Sequence, residues 1–238
     1  MVRMLRPLFL LTLTIAHAAS PGDKITAATA GFNGTIYIFA KNLDTGATYG
    51  LRPDERVRTA STIKLPILCA TFEAVKQGRL KWTDLIAVRD ADKVSGSGIL
   101  GEFTDGIKLP LSDLTHLMIV LSDNTATNLV LDQVTADYVN QYLDTIGMKA
   151  TRSMRKVRGD GSDLKAPQGF SKAGLDPENQ KYGIGSSTPR EMVSLLERIE
   201  NGQIVSAEAS KEILKVLKRQ RDTNGIARHF GDVVVANK

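Results

Sequence analysis

The chain has 238 residues, 42% hydrophobic and 24% charged, which suits one large domain or two small lobes sharing a core and excludes wholesale disorder. Its formal charge of +5 raises nucleic-acid binding. However, Lys and Arg are dispersed, and the one cluster, at Arg152, Arg155, Lys156 and Arg158, has few aromatic neighbours for base stacking; it reads as a solvated loop, and no nucleic-acid partner is expected. A single cysteine, Cys69, excludes an internal disulfide, and His17, His116 and His229 lie too far apart to form a ligand pair, so neither metal nor other cofactor is expected.

The N-terminus reads as a signal peptide over residues 1–18. Arg3 and Arg6 form a positive region, Leu8–Ala16 is a short apolar run, and Ala16-His17-Ala18 offers small residues for a peptidase. The run is short for a bilayer span, so cleavage before Ala19 is expected rather than an uncleaved anchor. The mature charge falls to about +3 as Arg3 and Arg6 leave. A secreted or periplasmic protein, monomeric and without a later membrane segment, is expected, with one domain over residues 19–238.

Thr35–Ala40 is β-branched and aromatic, Asp44-Thr45-Gly46 supplies a turn and Ala47–Leu51 returns, which predicts a hairpin. Ala60–Gln77 has helical length and is apolar almost all round, the pattern of a helix buried in the middle of a domain, with Cys69 packed inside and Pro66 tolerable near the first turns. Further helices are expected at Leu111–Leu121, Asn124–Gln133, Ala136–Ile146, Pro189–Ile199 and Ala207–Arg219. Between Thr151 and Ser187 the chain is Gly-, Lys- and Asp-rich and poorly periodic, the mark of a long functional loop. Asp232–Asn237 reads as a last strand. The order implies a mixed α/β fold of the α+β type: an antiparallel sheet drawn from both chain ends, flanked by helices, with an all-helical lobe inserted between.

Ser61-Thr62-Ile63-Lys64 opens the buried helix, and residues three apart share a face. A serine at a helix start sits where the dipole favours developing negative charge. An ammonium buried among apolar neighbours is pushed toward the neutral amine, which can serve as a base without any histidine. Taken alone the pair reads equally well as a helix cap beside a snorkelling lysine. Ser122-Asp123-Asn124 follows at a junction of two helices, where three good capping residues also place a hydroxyl and an amide that can face the first serine. Lys238, after the Val233–Val235 run, offers a cation for a substrate carboxylate.

Ser61-x-x-Lys64, Ser122-Asp123-Asn124 and the terminal Lys238, in this order, resemble the S-x-x-K, S-D-N and K-T-G set of the class A serine β-lactamases, within the penicillin-recognising serine hydrolases. The phrases Ala60–Leu65 (ASTIKL), Leu121–Leu129 (LSDNTATNL) and Ser187–Met192 (STPREM) resemble the same family, and the likeness runs from about Gly34 to Lys238. The resemblance implies an active site between two lobes and an acyl-enzyme route on a β-lactam or a D-Ala-D-Ala-like peptide, hence a role in antibiotic resistance. Ser61 would attack, Lys64 act as base, Ser122 pass a proton to the leaving nitrogen, Asn124 bind a substrate amide and Lys238 hold the carboxylate.

Two departures qualify the likeness. No E-x-x-L-N string occurs between Thr151 and Ser187, and Glu178 is the one glutamate there, so it becomes the candidate deacylation base. The residues of K-T-G beyond the lysine, and the strands and closing helix implied after it, do not follow Lys238; a truncated chain, inactive as it stands, is therefore expected. The alternatives are a D-alanyl-D-alanine peptidase-like penicillin-binding enzyme and a catalytically dead cell-wall binding protein.

Overall fold

The computed structural model describes residues 21–222, 225–231 and 233–238; the expected signal peptide and its cleavage site lie outside them. The chain divides into two units, Met1–Ile36 and Tyr37–Lys238. In the first, α1 spans Pro21–Thr29. Among the described residues no helix is long and apolar enough to cross a membrane.

The second unit begins with the expected hairpin. β1 (Ile38–Lys41) pairs antiparallel with β2 (Thr48–Leu51), Ile38 opposite Leu51. Its turn is held by Asn42, whose Oδ1 accepts the N–H groups of Asp44 and Thr45. Then come β3 (Val57–Arg58), a 3₁₀ turn at Ala60–Ile63, and α2 (Lys64–Lys76). Strands β4 (Leu85–Val88) and β5 (Ile107–Pro110) form a second antiparallel pair that sequence periodicity does not reveal. Helices α3 (Leu111–Val120), α4 (Asn124–Val134) and α5 (Ala136–Thr145) follow within a residue or two of expectation. Asp123 and Thr135 cap α4 and α5 by accepting the N–H groups of Ala126 and Tyr138, as short polar side chains do at helix starts.

The expected long loop is partly built. It carries β6 (Arg152–Ser153), the short helix α6 (Lys172–Leu175), a 3₁₀ turn at Pro177–Tyr182 and β7 (Gly185–Ser187). The sheet order is β3-β7-β6, all antiparallel. The basic cluster is not the solvated loop its charge suggests. Arg152 pairs with Asp144 and Lys156 with Asp132, while the buried Arg155 guanidinium donates to the carbonyls of Lys156, Arg158 and Gly159. Those bonds satisfy backbone oxygens that a loop of this length would otherwise leave without partners. Helices α7 (Pro189–Glu200) and α8 (Ala207–Leu217) complete the helical set, capped by Thr188 and Ser206.

The core gathers around α2, which packs on α3, α4, α5 and α8 and is buried without a break from Lys64 to Thr71, so that stretch has no solvent face to make polar. Ile67, Leu68, Cys69 and Ala70 are buried, and Cys69 is held as a thiol by burial that pushes its pKa to about 12. The expected C-terminal strand is the clear correction. Asp232 lies outside the described residues, and Val233–Asn237 belongs to no strand among them. A strand exists through its partner, and among the described residues β1 and β2 pair with each other and with no C-terminal segment. Val233 and Val234 remain 63% and 65% exposed, and Ala236 touches the core. The fold class stands as a mixed α/β architecture of small antiparallel sheets and many helices.

Candidate active site

Ser61 sits in the 3₁₀ turn that runs directly into α2. In such a turn residues three apart eclipse, which keeps Ser61 and Lys64 on one side. The turn is fixed from both ends: Thr59 N–H donates to Gly185 O on β7, and Thr62 Oγ1 donates to Thr59 O. Between them Ala60 takes φ of +44°. A left-handed conformation costs a residue with a Cβ about 1–2 kcal/mol and persists where surroundings enforce it.

Lys64 is completely buried. Its Nζ donates to Ser122 O at 2.6 Å, to Asn124 Oδ1 at 2.9 Å and to Ser122 Oγ at 3.1 Å, so all three protons have acceptors. No hydrogen bond joins it to Ser61 Oγ among the described residues, although the spacing suggested one. Burial lowers the Lys64 pKa to about 8, with the Asp123 carboxylate opposing the shift. Ser122 has φ of +54°, a second strained residue at the site.

Asp123 is buried and acts as an anchor. Its Oδ1 accepts Ala126 N–H, and its Oδ2 accepts the N–H groups of Ile99 and Leu100 at 2.7 and 3.0 Å. The segment Val94–Leu100 thereby becomes a strap across the Ser122–Thr125 corner, further held by Val94 N–H to Thr125 Oγ1, Asn124 Nδ2 to Ser95 O and Asn124 N–H to Ser97 O. Gly96 and Gly98 make this possible, with φ of +102° and +122°; a Cβ at Gly98 would lie 2.2 Å from Asp123 Oδ2.

Ser61, Ser97, Ser122 and Lys238 line one cleft of about 550 Å³. Lys238 Nζ donates to Ile119 O at 3.0 Å. Burial chiefly, and then the charge of Lys64, lower its pKa to about 7, while Asp222 on the same cleft raises it. The expected residues Ser61, Ser122 and Lys238 therefore line one cleft, with Lys64 and Asn124 bonded to Ser122 or to each other behind it. Glu178 is the exception: it is exposed on the Pro177–Tyr182 turn, where its own N–H donates to Asp176 Oδ1, and it does not line the cleft. Sequence reading missed the strap, Arg221 and Asp222. The signal for the strap was the alternation Ser95-Gly96-Ser97-Gly98, a run that neither helix nor strand would tolerate.

Residues 20–238 match the model of the beta-lactamase enzyme family, and the chain belongs to that family. It is 28% identical over 210 residues to beta-lactamase L2 of Stenotrophomonas maltophilia, covering 82% of this chain and 62% of that protein. A beta-lactamase from Sphaerobacter thermophilus superposes with a TM-score of 0.75 at 32% identity, over 89% of this chain and 73% of that one. A mutant of PBP-A, solved as an acyl-enzyme complex with penicillin G, gives a TM-score of 0.67 at 26% identity over 83% and 67%. The chain spans 49% of the length of beta-lactamase SME-1 of Serratia marcescens and 62% of that of beta-lactamase L2.

Proposed function

We propose that this protein is a serine acyl-transfer enzyme that opens β-lactam rings and hydrolyses the resulting ester, with Ser61 as nucleophile. The observation that carries the reading is the fully buried Lys64 ammonium, bonded to Ser122 Oγ, behind a cleft that holds Ser61, Ser122 and Lys238. A lysine whose pKa is lowered to about 8 is neutral in roughly one molecule in five near physiological pH, and that fraction can accept a proton. Ser61 Oγ attacks the lactam carbonyl carbon and its proton passes to Lys64. The C–N bond then breaks, and the leaving nitrogen takes a proton from Ser122, which Lys64 replenishes along their hydrogen bond. The ester stays on Ser61 until water cleaves it. Lys238, in its protonated form, binds the substrate carboxylate. The strain at Ala60 and Ser122 keeps both serines aimed into the cleft.

The family match and the identity to beta-lactamases support this reading. A penicillin-binding peptidase, which forms the ester but hydrolyses it slowly, is the second reading. It is favoured by the absence of a glutamate among the described cleft residues and by the likeness to PBP-A, whose mutant is named as a penicillin G acyl-enzyme. Export through a cleaved leader, and a monomer, belong to the same proposal.

The test is intact-protein and peptide mass spectrometry after exposure to penicillin G, with time. A covalent gain on the Ser61 peptide that decays with turnover supports hydrolysis; a gain that persists supports the peptidase reading. An adduct on another residue, or none, overturns Ser61 as nucleophile.

A further inference from the structure

The long loop ends on β7, and β7 is the strand against which the turn of Ser61 is set. It is the middle strand of its sheet, with β3 on one side and β6 on the other. On the β6 side it is tied at four points. Gly185 pairs with Ser153 and Ser186 with Arg152, Met154 N–H donates to Ile184 O, and the Ser186 hydroxyl donates to Ala150 O. On the other side Gly185 O accepts Thr59 N–H at 3.0 Å, two residues before Ser61. The approach there is closer than a side chain on β7 would permit. A Cβ at Gly185 would lie 2.7 Å from Thr59 Oγ1 and 2.8 and 2.9 Å from Cγ1 and Cδ1 of Ile63. Thr59 and Ile63 each stand two residues from Ser61, one before it and one after. Both are buried and both are β-branched, so neither side chain swings aside. Thr59 Oγ1 has no hydrogen-bond partner among the described residues, which makes its contact with β7 one of shape and not of bonding. The φ of Gly185 lies outside the left-handed region, so the backbone alone would accept alanine. Glycine is required here by the contact and not by the conformation.

We infer that Gly185 is a positioning residue for Ser61, whose missing Cβ lets β7 seat the nucleophile's turn at the depth from which the serine meets the cleft. A methyl group at this position presses on both flanks of the turn, and with β7 tied to β6 it is the turn that moves. Ala60, already at φ of +44°, leaves the turn no relaxed way to absorb the push. Displacing an attacking oxygen by about 1 Å can cost a hundredfold in rate, because the reacting atoms must meet within a narrow range of distance and angle. Lys64 is bonded to the Ser122–Asn124 corner and not to β7, so the base keeps its partners while the nucleophile shifts. The inference rests on the Ser61 acylation proposed above and extends its machinery from the cleft to the end of the long loop.

The experiment times acylation of Ser61 by penicillin G, followed by mass over a range of penicillin concentrations, in the parent, Gly185→Ala, Thr59→Ala and the double variant. The fraction of molecules that finally acylates counts the folded protein, so the rate per folded molecule is read apart from stability. Gly185→Ala lowers the saturating rate about tenfold to a hundredfold and leaves the half-saturating concentration within about threefold. In the Thr59→Ala background, where the nearest of the three crowded atoms is gone, adding Gly185→Ala costs at least about threefold less than it does in the parent. A glycine needed only for folding would lower the acylating fraction and spare the rate. A saturating rate in Gly185→Ala within about threefold of the parent therefore overturns the inference, as does an equal loss in both backgrounds or a loss confined to affinity. If Gly185→Ala does not fold, the double variant is read against Thr59→Ala alone, and a saturating rate within about twofold overturns the inference. Failure of the folded parent to acylate at Ser61 overturns the proposed function itself, whereas a parent that acylates beside variants that do so equally fast overturns this inference alone.

Discussion

The two walls of the cleft are held by different means. On the strap side, Asp123 accepts the N–H groups of Ile99, Leu100 and Ala126, Asn124 bonds Ser95 and Ser97, and the fully buried Lys64 bonds Ser122 and Asn124. On the Lys238 side, Val233 and Val234 are mostly exposed, no strand forms among the described residues, and the backbone ties there include Val233 N–H to Phe230 O, Asn237 N–H to Leu217 O and Arg221 N–H to Val120 O. The first wall is organised before substrate arrives. The second carries a cation whose backbone has few constraints. On the proposed reading, chemistry falls where the structure is over-determined, and ground-state binding of a carboxylate where it is not.

The sharpest break of that contrast is to remove one lysine from each wall. Lys64→Ala should lower acylation about a hundredfold to ten-thousandfold, the range for losing a positioned base. Lys238→Ala should act on the apparent affinity for a carboxylate-bearing β-lactam, about tenfold to a hundredfold, with less change at saturation. Stopped-flow acylation against β-lactam concentration separates the two, and equal effects on the saturating rate would dissolve the distinction.

Much of this contrast was legible in the sequence, for a physical reason. Ser61, Lys64 and the Ser122–Asn124 corner lie on or beside helices, where a period of 3.6 and capping residues mark the elements. α2 announced itself by being apolar all round, because four helices cover it. The strap and the open wall were not legible. Val94–Leu100 is built from glycine conformations and long-range bonds to Asp123, neither of which leaves a local periodicity. Asp123 read as a cap, and does cap α4, but its second oxygen acts 23 and 24 residues back along the chain. The Val233–Val235 run has strand composition, yet pairing is a property of two segments and composition reports on one. β3, β6 and β7, at two or three residues each, are too short for any alternation to appear.

Stability should show the same asymmetry. Asp123→Ala leaves three buried or half-buried N–H groups without their acceptor and should cost about 2–4 kcal/mol in denaturant unfolding. Val234→Ser removes an exposed side chain and should change stability by less than about 0.5 kcal/mol. Comparable losses at the two sites would mean that the C-terminal wall is as firmly packed as the strap.

The pH dependence joins the walls. Lys64 must be neutral to accept a proton, so acylation gains as pH rises through about 8. Lys238 must be charged to hold a carboxylate, and that charge is lost as pH rises through about 7. The product is a bell for the second-order rate constant with its maximum between 7 and 8, falling about tenfold per unit well outside it. Lys238→Ala should abolish the alkaline limb while keeping the acid one. A single ascending limb in the parent protein would remove Lys238 from substrate binding.

The smallest expected effect belongs to Glu178. Its position as the one glutamate of the long loop made it the natural candidate for activating the water that cleaves the acyl-enzyme. A base must reach that water, within about 3 Å of it, and the water must lie near the ester on Ser61. Glu178 instead sits exposed on the Pro177–Tyr182 turn, outside the residues that line the Ser61 cleft, and its neighbour Asn179 is engaged by Arg56. Glu178→Gln should therefore leave both acylation and release of the acyl group within about twofold of the parent, against the hundredfold to ten-thousandfold expected of a lost base. Pre-steady-state mass spectrometry of the adduct on Ser61 measures the two steps separately. Slowing of release alone by more than tenfold would show that the turn closes over the cleft once the ester forms, and would return Glu178 to the water-activating role.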